Sequence, residues 1–122
     1  VTKISKKLKF EHLGTDNSIK SVNYPEYAHK FCKKVSKKTN NIGILIFGSG
    51  MGMSMTANKH KNIRAALGYS VKNAKLSRLH NNANIITLGA RLINKNTAFK
   101  CIDVFLNTKF EGGRHIKRIK KI

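Results

Sequence analysis

Ile42-Gly43-Ile44-Leu45-Ile46-Phe47-Gly48-Ser49-Gly50-Met51-Gly52 is the stretch that decides the architecture of this chain. Its first six residues are apolar or glycine and rich in β-branched side chains, the pattern of a strand covered on both faces in a parallel sheet. The run Gly48-Ser49-Gly50-Met51-Gly52 then turns the chain toward a helix predicted over residues 53–60. A buried strand that enters a helix in this way points several backbone N–H groups into one concavity. An anionic oxygen or a phosphate is stabilised there by amides and by the helix dipole. The same glycines also suit a tight strand-to-helix turn with no ligand at all. The loop has no Walker lysine, so hydrolysis of a nucleoside triphosphate is disfavoured.

Working outward, the same rhythm repeats. Residues 8–14 alternate apolar and polar positions and end in Gly14, as a half-buried strand would, with a helix end before them and a polar loop over residues 16–23. Pro25 opens a helix whose apolar positions Tyr27, Ala28, Phe31, Cys32 and Val35 recur at helical spacing, with its end expected near Lys38. Strands follow over 64–68 and 84–88, helices over 71–81 and 97–106, and a basic tail from Gly112 can form one more helix. Strands alternating with helices imply an α/β fold, a Rossmann-like open parallel sheet in three layers (α/β/α) with right-handed crossovers, forming one domain over residues 1–122. Ligands in such sheets sit at the carboxyl ends of the strands, so the loop after Phe47 is the first place to look.

The chain has 122 residues, 25 Lys and Arg against 5 Asp and Glu, and a formal charge of +20. That charge invites a nucleic-acid reading, yet the lysines are spread through almost every segment and no aromatic-basic platform or helix-turn-helix pattern occurs. Weak adhesion to polyanions is expected, and no specific nucleic-acid partner. The longest apolar run, Ile44-Leu45-Ile46-Phe47, is far too short to cross a bilayer, so a soluble chain without membrane association is expected. Residues 1–7 lack the apolar stretch of a secretory signal. Cys32 and Cys101 have neither CxxC nor Cys/His ligand spacing, which argues against a zinc site or a disulfide scaffold and fits a reducing cytoplasm.

Beyond the glycine loop, His80 and Asn81 end a helix just before a strand, at a loop expected to face the other strand-to-helix loops. Beside an anion cradle, the imidazole can exchange a proton near neutral pH and the amide can bind a hydroxyl. Arg91, Arg114 and Arg118 stand out in a chain that otherwise prefers lysine, because guanidinium grips phosphate bidentately. Each of these residues has a plainer reading as capping or solvated surface.

Asn23-Tyr24-Pro25-Glu26-Tyr27-Ala28, the run from Gly43 through Ser54, Ala57-Asn58-Lys59, Ile63-Arg64-Ala65-Ala66, Leu76-Ser77-Arg78-Leu79-His80-Asn81, Asn84, Leu88-Gly89-Ala90-Arg91 and Phe110-Glu111-Gly112-Gly113-Arg114-His115 occur in order and correctly spaced. Together they resemble the ribose-5-phosphate isomerase B family, which includes the galactose-6-phosphate isomerase subunits. The resemblance implies an aldose–ketose isomerisation through an enediolate, converting ribose 5-phosphate to ribulose 5-phosphate without metal or other cofactor. It also implies a site shared between subunits of a homodimer or larger assembly. Gly48, Ser49, Gly50, Met51 and Gly52 would cradle the enediolate oxygens, His80 would be the ring-opening acid, Asn81 would contact a hydroxyl, and Arg91, Arg114 and Arg118 would hold the phosphate.

Three departures accompany the resemblance. Family members place the base that removes the carbon-bound proton either as Cys at the end of the buried strand or as Glu just after the glycine loop. Here those positions are Phe47 and Met53, and loss of a general base removes about 10²–10⁴ in rate. The family also begins with a strand, an Asp-His pair and a full first helix, whereas this chain starts near the end of that helix. Finally, that strand is central in the family's sheet, so its lack is expected to bare backbone groups on both neighbours. An impaired isomerase is therefore expected, with a non-catalytic phosphosugar-binding or partner subunit of a hetero-oligomer, completed by another chain, as the alternative. Cys32 and Cys101 fall at apolar helix spacings and are expected to be inert core thiols.

Overall fold

The computed structural model of the chain describes residues 24–122. The strand expected over 8–14, the helix end before it and the loop over 16–23 lie outside the described residues. Eight elements follow in order: α1 (Tyr24–Val35), β1 (Gly43–Phe47), α2 (Met51–Ala57), β2 (Ala65–Gly68), α3 (Val71–Asn81), β3 (Ile85–Gly89), α4 (Lys95–Asn107) and α5 (His115–Ile119). The three strands are all parallel and lie in the order β1-β3-β2, with Gly43 opposite Ile85 and Phe47 opposite Gly89.

Strand β3 sits in the middle and is buried along its whole length, and its side chains divide the core by their period of two. Ile85 joins Leu45 in a cluster with Ala28, Cys32 and Val35 of α1 and Met53 and Ala57 of α2. Ile86 and Leu88 point the other way, into a cluster with Ala74 of α3 and Cys101, Ile102 and Phe105 of α4. Each large side chain buried in this way stabilises the fold by about 1.5–3 kcal/mol. The layers are thus α1 and α2, the sheet, and α3 and α4, as the alternation of elements predicts.

Strand β1 departs from expectation. The apolar run predicts cover on both faces, but Ile46 is 48% exposed and only Gly43 and Leu45 are fully buried. Apolar composition alone does not show whether a helix lies over each face.

The element ends follow local chemistry. Helix α1 stops about a turn before Lys38, where the Asn41 side-chain amide donates to the Lys34 carbonyl at 3.1 Å and the Lys37 N–H folds back on the same oxygen at 3.3 Å. Helix α2 begins two residues earlier than predicted because Gly50 takes φ 78°, a left-handed value that lets the chain enter the helix at once. Helix α3 keeps its predicted bounds. Ser70 Oγ accepts from the Asn73 N–H at 3.1 Å, and Asn82 at φ 46° closes the far end with its N–H on the Ser77 and Arg78 carbonyls. Asn94 Oδ1 accepts from the Thr97 N–H at 2.7 Å and starts α4 two residues early.

Asparagines also extend the hydrogen bonding of the sheet. Asn58 pairs with both backbone groups of Ala65, donating at 2.9 Å and accepting at 2.8 Å, as a neighbouring strand would. Asn84 accepts from the Arg64 N–H at 2.8 Å and donates to the Asn62 carbonyl at 2.8 Å. Among the described residues, no helix is long and apolar enough to cross a membrane.

Candidate active site

The crossovers position a crevice. From β1 the chain passes through α2 to the far side of β3, then returns through α3, which puts α2 and α3 on opposite faces. The loop leaving β1 leads to one face and the loop leaving β3 leads to the other, so the sheet opens between their carboxyl ends. The glycine loop meets Gly89-Ala90-Arg91 in that opening. The Ala90 N–H donates to the Phe47 carbonyl at 2.8 Å and the Arg91 N–H to the Gly48 carbonyl at 3.0 Å. The fit is tight, since a Cβ on Gly89 would stand 2.4 Å from the Ser49 carbonyl oxygen. The Arg91 guanidinium flanks the loop, 3.5 Å from where a Gly48 Cβ would be. Ser49 Oγ accepts from the Met51 N–H at 3.3 Å, and the first-turn amides of α2 beyond it have no acceptor within the helix. The structure therefore brings Gly48, Ser49, Gly50 and Arg91 together and places Met51 and Gly52 at the start of α2.

His80 lies elsewhere, and here the expectation from sequence is corrected. Helix α3 runs antiparallel to the strands, so its last turn reaches the amino edge of the sheet, where β3 begins. The loop carrying His80 and Asn81 faces away from the strand-to-helix loops. Four residue steps along β3, at about 3.3 Å each, separate the two edges by roughly 13 Å.

A second constellation forms at this amino edge. The Glu111 N–H donates to the Leu79 carbonyl at 3.1 Å, which ties the segment before α5 to the end of α3. The His80 and His115 rings stack with centroids 4.4 Å apart and planes 19° from parallel. Glu111 Oε2 lies 3.9 Å from His80 Nε2 and 3.8 Å from His115 Nε2. His115 is only 4% exposed, and its Nε2 has no hydrogen-bond partner. Burial first, and then the nearby His80 and Arg114, hold its pKa below the usual imidazole value. Arg114 and Arg118 are exposed on the same segment, and Asn81 is exposed at the end of α3. His80, Asn81, Arg114 and Arg118 thus gather at one edge, apart from the glycine loop and Arg91.

Sequence reasoning missed Glu111 and His115 as partners of His80. The signal available was their spacing of four across Gly112-Gly113, which lets both side chains face one point. The neighbouring arginines Arg64 and Arg78 are structural. Arg78 donates through Nε to the Thr108 carbonyl at 3.0 Å and lies over the Phe105 ring, while Arg64 Nε donates to the Asn82 carbonyl at 3.0 Å. Burial pushes both guanidinium pKa values down.

At the positions expected for a base, Met53 is 2% exposed within the α1–α2 core and Phe47 packs, half-buried, against the same cluster. Neither side chain has an atom that accepts a proton. Both cysteines are free and buried. Burial raises the Cys32 thiol to about 11 and pushes the Cys101 thiol up as well, so both behave as core residues.

Solved structures share this arrangement of strands and helices. Type B ribose 5-phosphate isomerase from Trypanosoma brucei matches with a TM-score of 0.93 and 36% identity, over 99% of this chain and 81% of that one. Ribose-5-phosphate isomerase B from Mycoplasma genitalium, solved with bound ribulose-5-phosphate, matches with a TM-score of 0.86 and 43% identity, over 89% of this chain and 72% of that one. By sequence, ribose-5-phosphate isomerase B of Escherichia coli is 37% identical over 105 residues, 86% of this chain and 70% of the relative. The fold is therefore the Rossmann-like α/β fold of the type B sugar-phosphate isomerases. The family model described as ribose/galactose isomerase matches residues 1–122, and the chain belongs to that family.

Proposed function

We propose that the chain binds a phosphorylated pentose, with ribose 5-phosphate as the reference substrate, in a pocket built from two copies, and that its isomerase chemistry is strongly reduced. One copy supplies the crevice of Gly48, Ser49, Gly50, Met51, Gly52 and Arg91. The other supplies His80, Asn81, Arg114 and Arg118. Arg91, Arg114 and Arg118 hold the phosphate, His80 gives the proton that opens the sugar ring, and Asn81 binds a hydroxyl. Amides of the glycine loop stabilise the negative charge that develops on the enediolate oxygens, and this stabilisation grows as water is excluded.

The observation that carries the reading is the pairing of this retained binding set with Phe47 and with Met53 buried in the core. The step that lacks a residue is removal of the proton from the sugar carbon. A missing base lowers the rate by about 10²–10⁴ while leaving contacts to the phosphate in place. The test follows ribulose 5-phosphate formation from ribose 5-phosphate beside a calorimetric titration of the same sugar. Saturable, salt-sensitive binding with little turnover is expected, weakened by Arg114→Ala or Arg118→Ala. Turnover at the efficiency of its enzymatic relatives overturns the loss of the base, and a folded sample that binds no phosphosugar overturns the pocket.

A further inference from the structure

His80, Glu111 and His115 together have a chemistry that proton transfer and phosphate binding do not use. Their three ligand atoms all lie within 4.8 Å of one another. His115 Nε2 is buried without a partner and faces the Glu111 carboxylate at 3.8 Å. A buried polar atom left unsatisfied is costly, and most such atoms in folded proteins have a bonding partner. We infer that His80, Glu111 and His115 form a site for a divalent transition metal of the zinc class, with the fourth position open to solvent.

The donor set argues for that class of metal. Two imidazole nitrogens and one carboxylate oxygen are the ligands of an open, three-protein-ligand zinc site, while magnesium and calcium prefer all-oxygen shells. Bonds of about 2.0–2.1 Å place tetrahedral donors about 3.4 Å apart. The measured 3.8 and 3.9 Å separations between Glu111 and the two imidazoles therefore need to close by only a fraction of an ångström. The stacked rings have to turn about their Cβ–Cγ bonds to aim both nitrogens at one point. Glu111 is exposed and its side chain can follow that turn, while its backbone stays fixed on Leu79.

Two features set the strength and the specificity. Arg114 and Arg118 lie on the same segment and oppose a dication, so a micromolar rather than a nanomolar affinity is expected. The buried cysteines with raised pKa do not compete. The His29–His60 pair, bonded to each other at 2.6 Å, provides two ligand atoms on another part of the surface and serves as the control.

The inference stands apart from the proposed isomerase reading, and its test needs no turnover. Zinc chloride is titrated calorimetrically into the full chain, with histidine ring resonances followed by NMR. One ion per chain is expected, with affinity falling tenfold or more in Glu111→Gln and in His80→Gln, unchanged in His60→Ala, and unaffected by millimolar magnesium. His115 is left intact because it is buried, and circular dichroism confirms that the variants are folded. An absence of saturable binding, equal affinity in Glu111→Gln and His80→Gln, or loss of binding in His60→Ala would each overturn the site.

Discussion

Gly89→Ala is the substitution whose consequence the geometry states most directly. The added methyl would meet the Ser49 carbonyl oxygen at 2.4 Å, the Ser49 carbonyl carbon at 2.7 Å and Ser49 Cα at 3.0 Å. All three are backbone atoms, so no rotamer change relieves the contact. Either β3 or the glycine loop has to move. Overpacking of this kind costs about 1–3 kcal/mol, and a clash against main chain in the best-buried strand belongs at the upper end. At about 4 °C per kcal/mol for a chain of this size, the melting temperature should fall by roughly 8–12 °C. Gly48→Ala is the internal control. Its methyl would lie 3.5 Å from the Arg91 guanidinium, an ordinary contact with a mobile side chain, and its stability should stay within about 1 kcal/mol of the parent. Urea unfolding followed by circular dichroism measures both. Because the loop shifts in Gly89→Ala, phosphosugar binding should weaken further than stability alone accounts for. A Gly89→Ala protein that melts with the parent would refute the close approach of the two loops.

Asn94→Ala removes the side-chain oxygen that accepts from Thr97 and should cost about 1 kcal/mol, read by the same unfolding curve, with hydrogen exchange rising first at the start of α4. Burial, and then the charges of His29 and Lys33, hold the His60 pKa below its usual value. A folded-state pKa below that of the unfolded chain means the unfolded state binds more protons. The stability from this group is therefore complete above about pH 6.5 and lost as the pH falls through and below that value. Melting temperatures between pH 7.5 and 5 should fall less steeply in His60→Ala than in the parent. Cys32 and Cys101 should resist a thiol-specific disulfide reagent in the native state at pH 8 and react at once in denaturant, because burial keeps both thiols protonated and covered. Fast native-state reaction of either thiol would contradict its place in the core.

The layers and the glycine crevice were legible in the sequence because periodicity and turn chemistry are local. Val71 and Asn81 bound α3 as read, since Ser70 and Asn82 are caps that announce themselves. The positions of Gly50 and Asn94 moved two helix starts by two residues, because a left-handed glycine and a capping asparagine decide the boundary rather than the first apolar residue. Ile46 was misread because an apolar strand looks the same whether or not a helix covers it. The larger error concerned His80. Its place in the chain, just before a strand, resembles that of a loop residue at the carboxyl edge, yet helix direction carries it to the other edge. Glu111 and His115 reach it only through the return of the chain after α4, a long-range contact that leaves no periodic trace.

The roughly 13 Å between the two ends of β3 also sets a thermodynamic rule for any small ligand that touches both Arg91 and His80. Such a molecule cannot bridge them within one polypeptide, so its capture and the pairing of subunits become a single linked equilibrium. Whatever factor the sugar adds to subunit affinity, pairing must return to sugar affinity. Diluting the protein should therefore weaken its hold on the ligand, and saturating it with ligand should keep the subunits together at concentrations where they would otherwise part.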